Sequence, residues 1–208
     1  MGISPTTKER CTIKANPKPK TEYKLPDEGV SLAWLYSLID LGTQTIEFKG
    51  EKKQSHKLRL TWELCGTKVS EEDPRPVSIS REFTWSFHDK ATLRSVVKSW
   101  TGKEPTDSFD LESLYQHPCQ LNVIHAKVGD KTYANISTIM PLPKGTKVDA
   151  RVNETFTFDM GEQRCDALMF LQLPTFLRDK IMKSPEGHAK FAADSTGTPD
   201  IDADPCPF

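Results

Sequence analysis

The stretch Lys57–Leu64, KLRLTWEL, constrains the fold of this chain more than any other. Leu58, Leu60, Trp62 and Leu64 alternate with Lys57, Arg59, Thr61 and Glu63. Successive side chains of a strand point to opposite faces, so a strict period of two describes a strand half buried against a core. VSISREFTWSF (Val77–Phe87) repeats the pattern, with Val77, Ile79, Phe83, Trp85 and Phe87 on one parity.

The rest of the chain fits around these strands. VSLAWLYSLIDL (Val30–Leu41) is apolar on both parities and bounded by glycines. It suits a buried helix or a long strand, and the meander that follows favours the strand. TIEF (Thr45–Phe48) reads as a short separate strand, and the polar KGEKKQSHK (Lys49–Lys57) as a Lys-rich hairpin loop. A helix is expected from an N-cap at Asp89, through Leu93, Val96, Val97 and Trp100, to a stop at Gly102. FDLESLY (Phe109–Tyr115) adds a helical turn. Gln120–Val128 and Lys131–Leu142 form a hairpin about Gly129-Asp130. Residues 143–161 look irregular, with a short strand at TFTFDM. Leu173–Ser184 reads as a helix with an apolar stripe of Phe176, Leu177, Ile181 and Met182. The fold expected is mainly β with α: a five-stranded barrel of the oligonucleotide/oligosaccharide-binding (OB) type with additional helices and disordered termini. A β-sandwich also fits this order.

The 208 residues suit one domain with tails. Residues 1–26 form a basic extended arm, 27–190 the domain and 191–208 an acidic tail. The 28 basic and 29 acidic residues nearly cancel, so any nucleic-acid surface must come from uneven placement. The arm sets Lys8, Arg10, Lys14, Lys18, Lys20 and Lys24 against Glu9 and Glu22. No apolar run reaches the roughly 18 residues of a membrane span. Five cysteines without a CxxC pair point to reduced thiols in a cytoplasm. His117, Cys119 and His125 lack the spacing of a zinc site.

After Lys190 no positive charge remains. Asp194, Asp200, Asp202 and Asp204 alternate with small residues, a composition that cannot build a core, and the chain ends Cys206-Pro207-Phe208. The terminal DIDADPCPF resembles the acidic tails of bacterial and phage single-stranded-DNA-binding proteins, which end in an aromatic residue. Its acids are fewer and more widely spaced than in those tails. LAWLYSLIDLGTQ, KLRLTWEL, ANISTIMPLPKG and the helix before SPEGHAKF are similar to small phage proteins described as single-stranded-DNA-binding replication proteins. The resemblance implies a role in phage DNA replication or recombination within the infected cell's cytoplasm. It also implies replication or recombination partners bound through Asp200, Asp202, Asp204, Pro207 and Phe208.

The residues agree in part. Single-strand binders combine a positive groove with aromatic platforms. Lys49, Lys52, Lys53, Lys57 and Arg59 stand against Glu51 alone, and Lys127 and Lys131 flank a second turn. Tyr36, Trp85 and Tyr133 have polar neighbours and are the stacking candidates, whereas Trp62 and Phe83 belong to the core. No GxSxG, HExxH, Walker or GxGxxG motif is present, so neither an enzyme nor a cofactor is expected. Asp107, Asp110 and Glu112 read as turn and helix-start residues. A protein-interaction or inhibitor module without nucleic-acid binding is the alternative, and a nuclease-like enzyme a third reading. Self-association is left open.

Overall fold

The computed structural model of the protein describes residues 24–48, 50–161 and 167–192. Its centre is β1 (Gly29–Phe48), a strand of 20 residues. β1 pairs antiparallel with β2 (Glu51–Leu64) along most of its length, and β2 pairs with β3 (Ser78–Thr84). On its other edge β1 pairs with β4 (Cys119–Val128) through Ala33, then with the short parallel β6 (Phe156–Phe158) at Ser37–Ile39. β4 continues into β5 (Lys131–Pro141) across a turn at Gly129, whose φ of 60° suits glycine. The path is β3-β2-β1-β4-β5, all in one sheet.

β1 is apolar on both parities because it is buried on both faces. Ala33, Leu35 and Leu38 enter a large core with Leu58, Leu60, Trp62, Leu64, Ile79, Phe83, Leu121 and Ile139. Fully burying one such side chain contributes about 1.5–3 kcal/mol. Ile39 and Leu41 point the other way, into a second cluster with Phe158, Leu173, Leu177, Ile181 and Phe191. Irregularities in register after Leu35 and after Asp40 break the simple alternation.

Helix α1 (Thr92–Thr101) lies against β3 and β5 and buries Leu93, Val97 and Trp100, the last beside Trp62 with ring centres 6.0 Å apart. Gly102 ends it in the left-handed conformation, as expected. Its N-cap position is Ala91; Asp89 instead pairs with Arg94 at 3.4 Å. The FDLESLY turn is a 3-10 helix (Leu111–Gln116) capped by the Asp110 carboxylate. Helices α2 (Ala167–Gln172), α3 (Thr175–Met182) and α4 (Pro185–Phe191) cover the second cluster.

Several expectations need correction. TIEF is the end of β1, and the Lys-rich loop is the start of β2, so the two form one ribbon turning at Gly50 (φ 82°). The ribbon escaped a periodic reading because both its faces meet water. Thr61 and Glu63, on the polar parity of β2, are buried; the chain at Val152 and Asn153 folds over Glu63, and Thr61 shares a hydrogen bond with Ser80 of β3. Phe176 leaves the apolar stripe of α3 and is 58 % exposed. The sheet has six strands among the described residues, and no ladder joins β3 to β5, so it is not closed into a barrel. The Arg81 guanidinium instead spans that seam and donates to the Ile136 carbonyl at 3.1 Å. No helix among the described residues is long and apolar enough to cross a membrane.

Candidate nucleic-acid interface

An open groove of about 830 Å³ crosses the outer face of β1, β2 and β3. Alternation on β2 and β3 puts Arg59, Thr61, Ser78 and Ser80 on its floor, where Thr61 and Ser80 share a hydrogen bond of 3.0 Å. Tyr36 stands at the first irregularity of β1 and donates its hydroxyl proton to Ser78 Oγ at 3.2 Å. Tyr133, near the start of β5 and 47 % exposed, lines the groove too. Phe176 completes it from α3, its ring centre 5.4 Å from the Arg59 guanidinium. Lys24, Leu25 and Arg75 form part of the rim.

Arg59 is the cation at the centre. Burial lowers its affinity for the proton, and the nearby Glu82 opposes that. Glu82 lies 3.6 Å from Arg59 and also binds Lys180 at 2.7 Å, so one carboxylate serves two cations. The site offers the Arg59 guanidinium, hydroxyls and the rings of Tyr36, Tyr133 and Phe176, a set suited to stacking planar groups and holding an anion between them.

Of the residues nominated from sequence, the groove brings together Tyr36, Arg59 and Tyr133. Trp85 lies elsewhere, edge-on to His56 with ring centres 5.1 Å apart. Lys57 sits at the ribbon base and donates to Thr84 Oγ1 at 2.9 Å. Lys52 and Lys53 project along the ribbon, opposite Glu47 and Ile46. Lys131 is exposed at the β4–β5 turn. Lys49 and the tail residues Asp200, Asp202, Asp204, Pro207 and Phe208 lie outside the described residues. Trp62 and Phe83 are core, as expected. Phe176 was missed because its helical spacing grouped it with the buried stripe.

The ribbon is anchored by a polar cluster that the sequence did not signal. Asp40, 3 % exposed, accepts from the Gly42 amide at 2.8 Å and pairs with His56 Nε2 at 2.6 Å. Glu186, in the first turn of α4, accepts from the Thr43 amide at 3.0 Å and from its hydroxyl at 2.5 Å. The hydrogen bond with Asp40 raises the His56 pKa above 6.5; burial opposes this, while Asp40, Glu186 and Asp159 add attraction.

The cysteines and histidines supply no competing centre among the described residues. Burial pushes the Cys65 thiol up to about 11 and the Cys119 thiol higher still, so both are protonated at neutral pH and poor nucleophiles. His117, Cys119 and His125 do not converge; the His125 ring bonds the Pro26 carbonyl at 2.7 Å. No group of three metal-ligating side chains occurs among the described residues. No family model and no curated protein matches this chain.

Proposed function

We propose that this protein binds single-stranded DNA without sequence preference, in the groove over β2 and β3. The observation that carries the reading is the meeting of Tyr36, Tyr133 and Phe176 around Arg59 in one open groove. Bases stack on the rings and a phosphate pairs with the guanidinium, which every sequence permits because every base has a π-face. We read the sheet as an OB-like barrel whose seam is bridged by side chains. The path β3-β2-β1-β4-β5, with α1 between the third and fourth strands, supports that reading. So does the groove's position, because barrels of this type bind oligonucleotides on the face of strands 2 and 3, beside the loops joining strands 1–2 and 4–5.

The test is titration of the full chain with single-stranded, double-stranded and RNA oligomers over a range of salt. Tight oligo-dT binding that weakens steeply with salt is expected, because phosphate contacts release counterions. Absence of binding at low salt would leave the protein-interaction module as the reading. The resemblance of DIDADPCPF to single-strand-binding tails supports a further role: the tail recruits phage replication or recombination enzymes in the host cytoplasm, with Phe208 entering an apolar pocket and the aspartates steering approach. Deleting Phe208 should abolish capture of the cognate polymerase, helicase or recombinase and leave oligo-dT affinity unchanged. Retained capture would reduce the tail to a solubilising segment.

A further inference from the structure

Past the groove floor, the chain from Asp149 to Asn153 folds over the Glu63 end of β2. Glu63 is 2 % exposed and accepts from the Val152 amide at 2.6 Å, the Asn153 amide at 2.8 Å and Asn153 Nδ2 at 2.6 Å. A buried carboxylate held by three donors fixes this segment firmly. The segment in turn presents Arg151. Its guanidinium lies 5.9 Å from the Trp34 ring centre and 6.0 Å from that of Tyr115. Arg151 Nη1 donates to the Tyr115 carbonyl at 2.8 Å, and Trp34 Nε1 donates to the Asp149 carbonyl at 2.7 Å. Among the described residues no carboxylate forms an ion pair with Arg151, in contrast to Arg59, Arg75 and Arg94.

These groups line a second open cavity of about 550 Å³. Asn153 lines this cavity and the main groove alike, so the two meet at one residue. An arginine set beside two aromatic rings repeats the pairing of Arg59 with Phe176 in the groove, but without the carboxylate that Arg59 has in Glu82. Glu154 also lines the cavity, so its charge is mixed and stacking on the rings must supply much of any attraction.

We propose that Trp34, Arg151 and Tyr115 form a second station for the same single strand, reached across Asn153, where Arg151 holds a phosphate and Trp34 stacks a base. This rests on the groove being the single-strand site. The experiment compares oligo-dT of ~4 and ~16 nucleotides, the span of site sizes for one such fold, on the full chain and on Arg151→Ala. The variant should bind the long strand about tenfold more weakly, a change of one stacked or paired nucleotide, with a salt slope shallower by about 0.7, and bind the short strand as the unaltered chain does. Arg151→Lys should restore the slope and only part of the affinity, because an ammonium lacks the planar face. It also serves as the control for loosening of the Asp149–Asn153 segment, which a thermal melt would reveal. Unchanged long-strand binding in Arg151→Ala overturns the second station, as does an equal loss for both lengths. If the unaltered chain binds neither length, the groove reading fails first. If Arg59→Ala weakens both lengths and Arg151→Ala neither, only this inference falls.

Discussion

The ribbon and the groove are both basic and share strands β1 and β2, yet they are built differently. In the ribbon, Lys52 faces Glu47 across the pair and its residues stand in water. Such charges are screened beyond roughly 8–10 Å at physiological salt. In the groove a single partly buried guanidinium, Arg59, works beside rings fixed by the sheet and by α3. Charge in the open attracts a strand from a distance, whereas charge framed by aromatic faces holds it. If the groove is the single-strand site, most of the affinity should reside in the groove, and the ribbon should act chiefly through the salt dependence.

The largest effects should follow from removing the groove's rings. Tyr36→Ala, Tyr133→Ala and Phe176→Ala should each cost about 1–3 kcal/mol of oligo-dT affinity at constant salt, while Trp85→Ala, outside the groove, should cost less. A larger loss from Trp85 than from Phe176 would invert the comparison. Next comes the combined replacement of Lys52, Lys53 and Lys57 by Ala. It should flatten the salt slope by up to about 0.7 per lost phosphate contact and change affinity little at high salt. An unchanged slope would show that the strand never reaches the ribbon.

The smallest effect is the dependence on pH. His56 has its pKa raised above 6.5 in the folded chain, chiefly by Asp40. Its contribution to stability is therefore full below that value and is lost as pH rises through the raised pKa. The melting temperature should fall modestly between ~6 and ~8 in pH, and His56→Gln should flatten the profile. Oligo-dT affinity should weaken slightly over the same range through the ribbon alone, since Arg59 stays charged throughout. A flat melting profile in the unaltered chain would remove His56 as the ribbon's titrating anchor.

How much was legible follows from where water lies. Leu58, Leu60, Trp62 and Leu64 could be read directly because one face of β2 meets the core there. Lys52 and Lys53 belong to the same strand, but with both sides wet they leave no period to read. Glu63 has the parity of an exposed residue and is buried by the chain near Val152, a long-range event that no local pattern records. Phe176 and Leu177 are adjacent on a short helix, and spacing alone does not say which meets the cluster. Helix α4 did carry a local signal: Ser184 caps the Gly187 amide and Pro185 follows at the first helical position. That Ser-Pro-Glu start marks the helix where hydrophobic periodicity does not. Tyr36, Arg59 and Tyr133 were recognisable as types, but their meeting in one groove depends on the curvature of the whole sheet.

The Arg81 bridge across the β3–β5 seam bears on how such a groove admits its occupants. A ladder of main-chain hydrogen bonds locks neighbouring strands at about 4.7–4.9 Å. A strut made of one long side chain has no such fixed length: the guanidinium can follow the Ile136 and Ser137 carbonyls, at 3.1 and 3.5 Å, as the two edges shift. The β3–β5 seam is thus held by a side chain, whereas ladders hold the strands along the path β3-β2-β1-β4-β5. Tyr133 rides on the β5 side of that joint and Ser78 and Ser80 on the β3 side. On the proposed single-strand reading, a shift at the seam would change the gap between Tyr133 and the β3 serines, so that purines and pyrimidines would fit without rebuilding the fold.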